Sequence, residues 1–495
     1  MKPEVSLHRP YQAADVEQWD HETDVVIVGF GAAGACAAIE AASAGARVML
    51  FESRSGSGGA SALSGGEIYI GGSGGTDVQR AAVFEDMTED CAAYLKAAGG
   101  PCADEAKCDL YAERSNSHFE WLKAQGVPYR GNYAPGKIIE PEDDATLIWS
   151  GSEAAAPFCD IAKPAPRGHV VQHVGFGGGR PLIDILEARA TTLGVQVTYD
   201  ARALALVADH ECIVGAVIRI DNHNRFVKAA RGVVLATGGF AFNEDMRRRY
   251  CADSFRISEP LGDGDDGTGI LLGMGAGGDA IHMEQFFTTC PWIVPQEHAK
   301  GVFVNVAGQR FINEDCYHGR VSRAAIDQPG GKVYQLLDSA HFSQPWDVAR
   351  ITIAGTGHDW EEVEAELAMP EGTLSATMEF YNRHAREGRD PLFDKRRPVL
   401  TPLDQGPFVA LELNFRDSMF SFFTLGGLRT SLDAEVLDRA GTPVPGLLAA
   451  GRCTSGLPAW GYGYSSGLSL ADCTFFGRQA GKKAATGQGM QGDPR

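Results

Sequence analysis

Residues 24–52 read DVVIVGFGAAGACAAIEAASAGARVMLFE, and this stretch decides the fold. The β-branched run DVVIVG predicts a short strand, the alanine-rich segment after it to Ala44 a helix, and RVMLFE a second strand ending at Glu52. Strand, helix and strand in that order make a right-handed, parallel βαβ unit, the start of a doubly wound sheet. The turn into the helix spells G-x-G-x-x-G. Gly29 permits the tight turn, Gly31 lets backbone approach a pyrophosphate, and Gly34 lets helix and strand pack closely. Ala32 and Ala33 open the helix whose N-terminus faces the phosphates. Glu52 follows Gly34 by 18 residues, with Ser53 beside it, where an adenosine ribose needs a carboxylate. A glutamate there favours a free 2′-hydroxyl over a 2′-phosphate.

Working outward, residues 55–66 read SGSGGASALSGG, a second glycine-rich run able to lay backbone amides along a longer cofactor. Its Gly59, Ala60, Ser61, Ser64, Gly65 and Gly66 are candidate contacts, and the run argues for FAD rather than NAD. Further sheet elements are expected at 195–199, at 204–207 and 216–221 as a hairpin or meander, and at GVVLATGG from Gly232. After about residue 280 the style changes through HMEQFFTTCPWIV, GVFVNVAGQRFINEDCY and a helical DWEEVEAELAM. It returns with the strand VPGLLAAG and a terminal helix in GLSLADCTFFGRQAGKKAA. The expected organisation is a discontinuous nucleotide-binding domain, 1–280 and 426–495, with an inserted α+β substrate cap at 281–425. The last ten residues, TGQGMQGDPR, lack periodicity and read as a mobile tail.

Composition narrows the partners. At 495 residues the chain exceeds a single core, and 44% apolar with 22% charged residues is globular. A formal charge of −20 argues against a sequence-independent grip on nucleic acid or an anionic bilayer. Eleven cysteines without a C-x-x-C pair suggest neither a disulfide framework nor a thiolate zinc site, so a reducing cytoplasm is expected and no metal is called for. The opening residues are polar, and no stretch has about 18 uninterrupted apolar residues, so neither secretion nor a membrane span is expected.

Several motifs together resemble the fumarate reductase and 3-ketosteroid dehydrogenase flavoprotein superfamily: G-x-G-x-x-G, GGASALSGG, ATGGF (236–240), GDGDDGTG (262–269), and PGLLAAG followed by GYGYSSGLSL. The resemblance covers nearly the whole chain and implies a Rossmann-like, glutathione-reductase-type α/β domain. It assigns Thr237, Gly238 and Asn243 to the adenine side. Gly451, Arg452 and the start of the final helix, Gly467, Leu468, Ser469 and Leu470, fall toward the flavin, where the helix dipole would favour the anionic reduced form. Residues 55–66 contain no histidine for covalent attachment, so FAD is expected to be non-covalent.

The dicarboxylate reductases of that superfamily carry histidines where this chain has QFFTTCP (285–291) and FSFFTLGG (420–427). Phe286, Phe287, Phe422 and Phe423 in those segments leave an apolar site where two carboxylates would need cationic donors. The chain is instead similar to the 3-ketosteroid Δ4-(5α)-dehydrogenase branch, in NEDCY ending at Tyr317 and in YGYSSG with Tyr464 and Ser466. The resemblance implies a neutral, hydrophobic ketone, a 3-keto-5α-steroid that gains a 4,5-double bond. Tyr464 would hold the ketone oxygen and Ser466 would take the α-proton with Tyr317 relaying it, while hydride leaves for flavin N5. Phe286, Phe287, Phe422 and Tyr462 are expected as pocket wall. Two alternatives stay open: a 1,2-dehydrogenase, and an ene-reductase of the fumarate or urocanate type.

Overall fold

The computed structural model describes residues 5–137, 141, 143–173, 177–257, 259–290 and 296–487. Residues 291–295 of the expected cap and 488–495 of the expected tail lie outside it. The βαβ unit forms as His21–Val28, Ala32–Ser43 and Val48–Phe51, with Val25 opposite Val48 in parallel register. Gln196–Thr198 extends the sheet beyond Val48–Phe51, and His223–Leu235 lies parallel to His21–Val28 on the other side. The expected strand at Gly232 is therefore the end of one long strand, whose first half closes an antiparallel meander with Cys212–Ile220 and Arg202–Asp209. Its second half pairs in parallel with Pro443–Ala449, through Val233 opposite Leu447. Tyr11–Gln12 adds a short edge strand beside Arg202–Asp209 that the polar opening did not signal.

Small residues set the spacing of this layer. Ala35, Ala37, Ala38 and Ala41 are fully buried. A Cβ on Gly477 or Gly481 of the last helix, Leu468–Thr486, would overlap the carbonyl oxygens of Ala33 and Ala37. The first and last helices thus pack backbone to backbone, which fixes the flavin-side helix relative to the glycine fingerprint.

A second four-stranded sheet, Glu67–Tyr69, Gly168–Val170, Leu147–Trp149 and Tyr133–Lys137, stands beside helices Thr88–Gly99 and Glu105–Ala124. Between 281 and 425 a third sheet carries Val302–Val304, Lys332–Asp338, Phe408–Asn414 and Thr352–Gly357 in antiparallel order. The predicted helix over DWEEVEAELAM is shorter, Trp360–Glu366, and Ala368 adopts a left-handed φ of 51°. Glu259–Pro260, Ser421–Thr424 and Phe286–Thr289 form a small sheet that bridges residue 280. Among the described residues no helix is long and apolar enough to cross a membrane.

Candidate functional site

The groove starts at the glycine fingerprint. Gly29 has φ 101°, and a Cβ there would overlap the Ala236 carbonyl oxygen on the adjacent strand. A Cβ on Gly34 would overlap the Gly29 carbonyl oxygen, so helix and turn touch directly. Gly31 differs: the nearest atoms to a Cβ there are Ser61 Oγ at 3.5 Å and the Gly58 carbonyl oxygen at 3.8 Å, so its open side faces the groove. Glu52 Oε2 accepts from the Phe30 amide (2.7 Å), and Oε1 accepts from the Arg54 amide (2.9 Å) and the Ser53 hydroxyl (3.1 Å). The carboxylate is therefore aimed by backbone that the fingerprint itself shapes. Ala32, Ala33, Ser53 and Gly59 border the same groove, as do Thr237, Gly238 and Gly451 from the opposite strands.

Ala60, Ser61, Arg452 and Cys473 border both this groove and a second cavity of about 490 Å³, so the two are one elongated space. That volume lies in the range of small-molecule sites. Ser64 and Gly65 from the second glycine-rich run line it, as do Gly467, Ser469 and Leu470 at the N-terminus of the last helix. A carboxylate at one end, a side-chain-free cradle at Gly31 and helix N-termini toward both ends fit an extended dinucleotide. Gly66 and Leu468 support this space without bordering it: Gly66 packs on the Gly178 backbone, and Leu468 is buried in the core. Asn243 is a correction. Its side chain caps helix Glu244–Tyr250, accepting from the Met246 amide at 3.0 Å and donating to the Asp266 carbonyl at 2.8 Å, away from the groove.

The second cavity collects the three expected catalytic side chains. Tyr317 reaches it because NEDCY is anchored underneath. Asn313 Nδ2 donates to the Ala156 carbonyl (3.0 Å), and buried Glu314 binds Arg310 Nη2 (2.9 Å) and accepts from the Phe303 amide (3.1 Å). Tyr317 then stands at the N-cap position of helix His318–Ile326, without a side-chain cap bond, which leaves its ring to the cavity. Tyr464 arrives on YGYSSG, whose Gly463 packs so tightly on Ala98 that a Cβ would overlap its carbonyl oxygen. The Tyr464 hydroxyl donates to Ser469 Oγ at 3.1 Å, and Ser466 lies near enough to the Tyr317 hydroxyl to oppose the effect of burial on it. Burial pushes the Tyr464 phenol up to about 12 and Tyr317 well above the usual range, so both stay protonated at neutral pH.

Of the expected apolar wall, Phe287 faces this cavity, whereas Phe286, Phe422 and Tyr462 do not line it. Strand parity explains the first two. Phe287 pairs with Phe423 across Phe286–Thr289 and Ser421–Thr424, rings 4.8 Å apart, so their neighbours turn to the other face. There Phe286 meets Phe422 edge-on at 6.2 Å, and Arg247 lies 4.6 Å over Phe422. Tyr462 sits under the Arg323 guanidinium at 4.7 Å. Phe423, expected with Phe287 to make the site apolar, lines the cavity too, whereas Glu67, Thr289 and His318 line it without having been expected as site residues. The alternation of FFTT could have found Thr289; Glu67 and His318 carried no signal beyond adjacency to Gly66 and Tyr317. Arg452 is the one lysine or arginine among the described lining residues, and it pairs with buried Asp265.

Beneath the cavity Glu153 is buried, and burial raises its carboxyl to about 7 against the opposing pull of Arg167. A folded-state value above the unfolded one means that the fold holds a proton the unfolded chain releases. Stability is then lost as pH rises through the interval from 4.5 to about 7. Glu153→Gln should therefore raise the melting temperature more at pH 8 than at pH 5; an equal change at both pH values would contradict this. His169, by contrast, is a satisfied interior histidine: Nε2 meets Thr76 Oγ1 at 2.8 Å, Nδ1 meets the Arg167 carbonyl at 3.0 Å, and burial lowers it to about 4.

A family model described as "FAD binding domain" matches residues 24–468. The 3-ketosteroid-Δ4-(5α)-dehydrogenase of Rhodococcus jostii RHA1, solved in complex with 4-androstene-3,17-dione, is 41% identical with a TM-score of 0.90, covering 96% of this chain and 99% of its own. The 3-oxo-5-alpha-steroid 4-dehydrogenase of Comamonas testosteroni is 28% identical over 509 residues, 89% of this chain and 94% of its own. A flavocytochrome c3 fumarate reductase in its open conformation is 26% identical with a TM-score of 0.67, covering 98% of this chain and 83% of its own.

Proposed function

The chain belongs to the FAD-binding domain family, and from that premise we propose that it is an FAD-dependent oxidoreductase that dehydrogenates a 3-keto-5α-steroid to the 4-ene. The observation that carries the reading is the composition of the second cavity: two protonated tyrosines, a serine and the Phe287–Phe423 pair, with its one arginine already held by Asp265. Among the described lining residues a dicarboxylate would find no free guanidinium, whereas a neutral ketone finds a hydroxyl donor and an apolar wall. The full-length likeness to two steroid 4-dehydrogenases supports the same substrate class.

Bound FAD supplies the hydride acceptor. Tyr464 donates its hydroxyl proton to the ketone oxygen as a hydrogen bond and stabilises the enolate-like charge that builds there. Ser466 takes the α-proton while its own proton passes to the Tyr317 oxygen and the Tyr317 phenol proton leaves outward to solvent, because a serine hydroxyl alone is too weak a base; the two act as a unit. Phe287 and Phe423 hold the apolar skeleton and exclude water. Residues 281–425 supply Phe287, Tyr317 and Phe423, which supports their assignment as a catalytic cap inserted between 1–280 and 426–495. FAD is held non-covalently, and its electrons leave for an external acceptor. Eleven cysteines with no C-x-x-C pair, most of them buried, support a reducing, cytoplasmic setting.

Anaerobic titration with 5α-androstane-3,17-dione tests the reading. The flavin absorbance should bleach and 4-androstene-3,17-dione should accumulate. No bleaching, or a 1-ene product, would overturn it; rapid reoxidation of reduced protein by fumarate or urocanate would favour the reductive alternative.

A further inference from the structure

Tyr317 and Ser466 enter the cavity from distant parts of the chain, yet both donate their backbone N–H to the same short turn. The Ser466 amide donates to the Ser150 carbonyl at 2.7 Å, and the Tyr317 amide donates to Ser152 Oγ at 3.0 Å. The turn is itself held from below. The Ser152 amide donates to the Tyr94 hydroxyl oxygen (2.9 Å), that hydroxyl shares a hydrogen bond with Ser465 Oγ (2.8 Å), and the Gly151 amide donates to Glu153 Oε2 (3.0 Å). A Cβ on Gly151 would overlap both Ser465 Oγ and the Tyr94 hydroxyl, so the turn has no slack. Tyr94 is fixed in turn by Tyr69 stacked at 5.7 Å, Phe158 at 5.5 Å and the Arg167 guanidinium at 5.2 Å.

We propose that the buried bracket 150–153, pinned by Tyr94, is a positioning device that sets the Tyr317 hydroxyl against Ser466. The inference rests on the ketone dehydrogenation proposed above. A proton passing between two hydroxyls demands placement to about 0.5 Å, and a displacement of about 1 Å costs roughly 100-fold in rate. Tyr94 and residues 150–153 are not among the described residues that line the cavity, so Ser152 and Tyr94 act through the backbone of the residues they hold. Their loss should separate the proton step from binding: the α-proton transfer slows while substrate and FAD still bind.

Ser152→Ala removes the acceptor of the Tyr317 amide. Its kcat should fall about 10- to 100-fold with KM within about threefold, by the same placement argument. FAD content and the flavin spectral shift on steroid binding should be unchanged. The kinetic isotope effect from substrate deuterated at the α-carbon should rise while that from the β-carbon does not. Ser152→Thr, which keeps the oxygen, should restore most of the rate. Tyr94→Phe should give a smaller loss with the same isotope signature, and it carries the test if Ser152→Ala does not load FAD. Wild-type kcat and isotope effects in the variants would overturn the inference, as would parallel loss of FAD, steroid binding and rate, the mark of a merely structural turn. If wild-type protein is not reduced by the steroid at all, the functional reading fails first and takes this inference with it.

Discussion

Tyr464→Phe is expected to slow reduction of the flavin by 5α-androstane-3,17-dione by about 100- to 1,000-fold, the loss typical of one oxyanion donor and equivalent to about 2.7 to 4 kcal/mol. The substitution removes only the hydroxyl, and the ring keeps its contacts with Phe287 at 4.3 Å and Phe423 at 5.5 Å. FAD content and melting temperature should therefore match the wild type, which separates this variant from a folding defect. The hydroxyl already has a partner, donating to Ser469 Oγ at 3.1 Å, which in the proposed mechanism it would exchange for the ketone oxygen. Because burial raises the phenol to about 12, the donor proton is present below that value and lost only above it. The wild-type rate should show no alkaline limb from this group between pH 7 and about 10. Stopped-flow reduction across that range checks both statements. A near-normal rate in Tyr464→Phe would remove Tyr464 from its role, and near-normal rates in Tyr317→Phe and Ser466→Ala as well would discard the whole assignment.

The nucleotide half of the molecule was legible because its determinants are local. Gly29, Gly31, Gly34 and Glu52 lie within one βαβ unit, and the spacing of that unit is the information. The second cavity is assembled from segments hundreds of residues apart, and only motif resemblance brought Tyr317, Tyr464 and Ser466 to one place. Errors arose where a residue type was read without its local geometry. Phe286 and Phe422 were grouped with Phe287, although alternation along a strand sends neighbours to opposite faces. An asparagine before Glu244 and Asp245 is an N-cap signature, and the Asn243 side chain is taken up by the Met246 amide of that helix and by the Asp266 carbonyl. The bracket at 150–153 had no sequence signal, because it ties backbone amides of remote segments to one carbonyl and to the Ser152 and Tyr94 side chains, at separations that no motif spacing relates.

The fingerprint glycines should fail in two different ways. A Cβ at Gly34 meets the Gly29 carbonyl oxygen, a backbone atom that no rotamer change can move aside. Gly34→Ala should force the first helix off the sheet, and overpacking of this kind costs about 1 to 3 kcal/mol. The shift also moves Gly31 and the helix N-terminus away from the phosphates, so stability without FAD and FAD affinity should both fall. Gly31 has φ −85°, which any residue adopts, and 3.5 Å of clearance to its nearest neighbour. Gly31→Ala should therefore keep the melting temperature of the FAD-free protein while its methyl, pointing into the groove, weakens FAD at least about tenfold, or about 1.4 kcal/mol. Thermal denaturation of both variants stripped of FAD, with FAD binding measured by titration, separates packing from contact. If Gly31→Ala bound FAD normally, the pyrophosphate would not pass over Gly31. If the FAD-free Gly34→Ala melted with the wild type, close packing of the first helix on its turn would not be the reason for the third glycine.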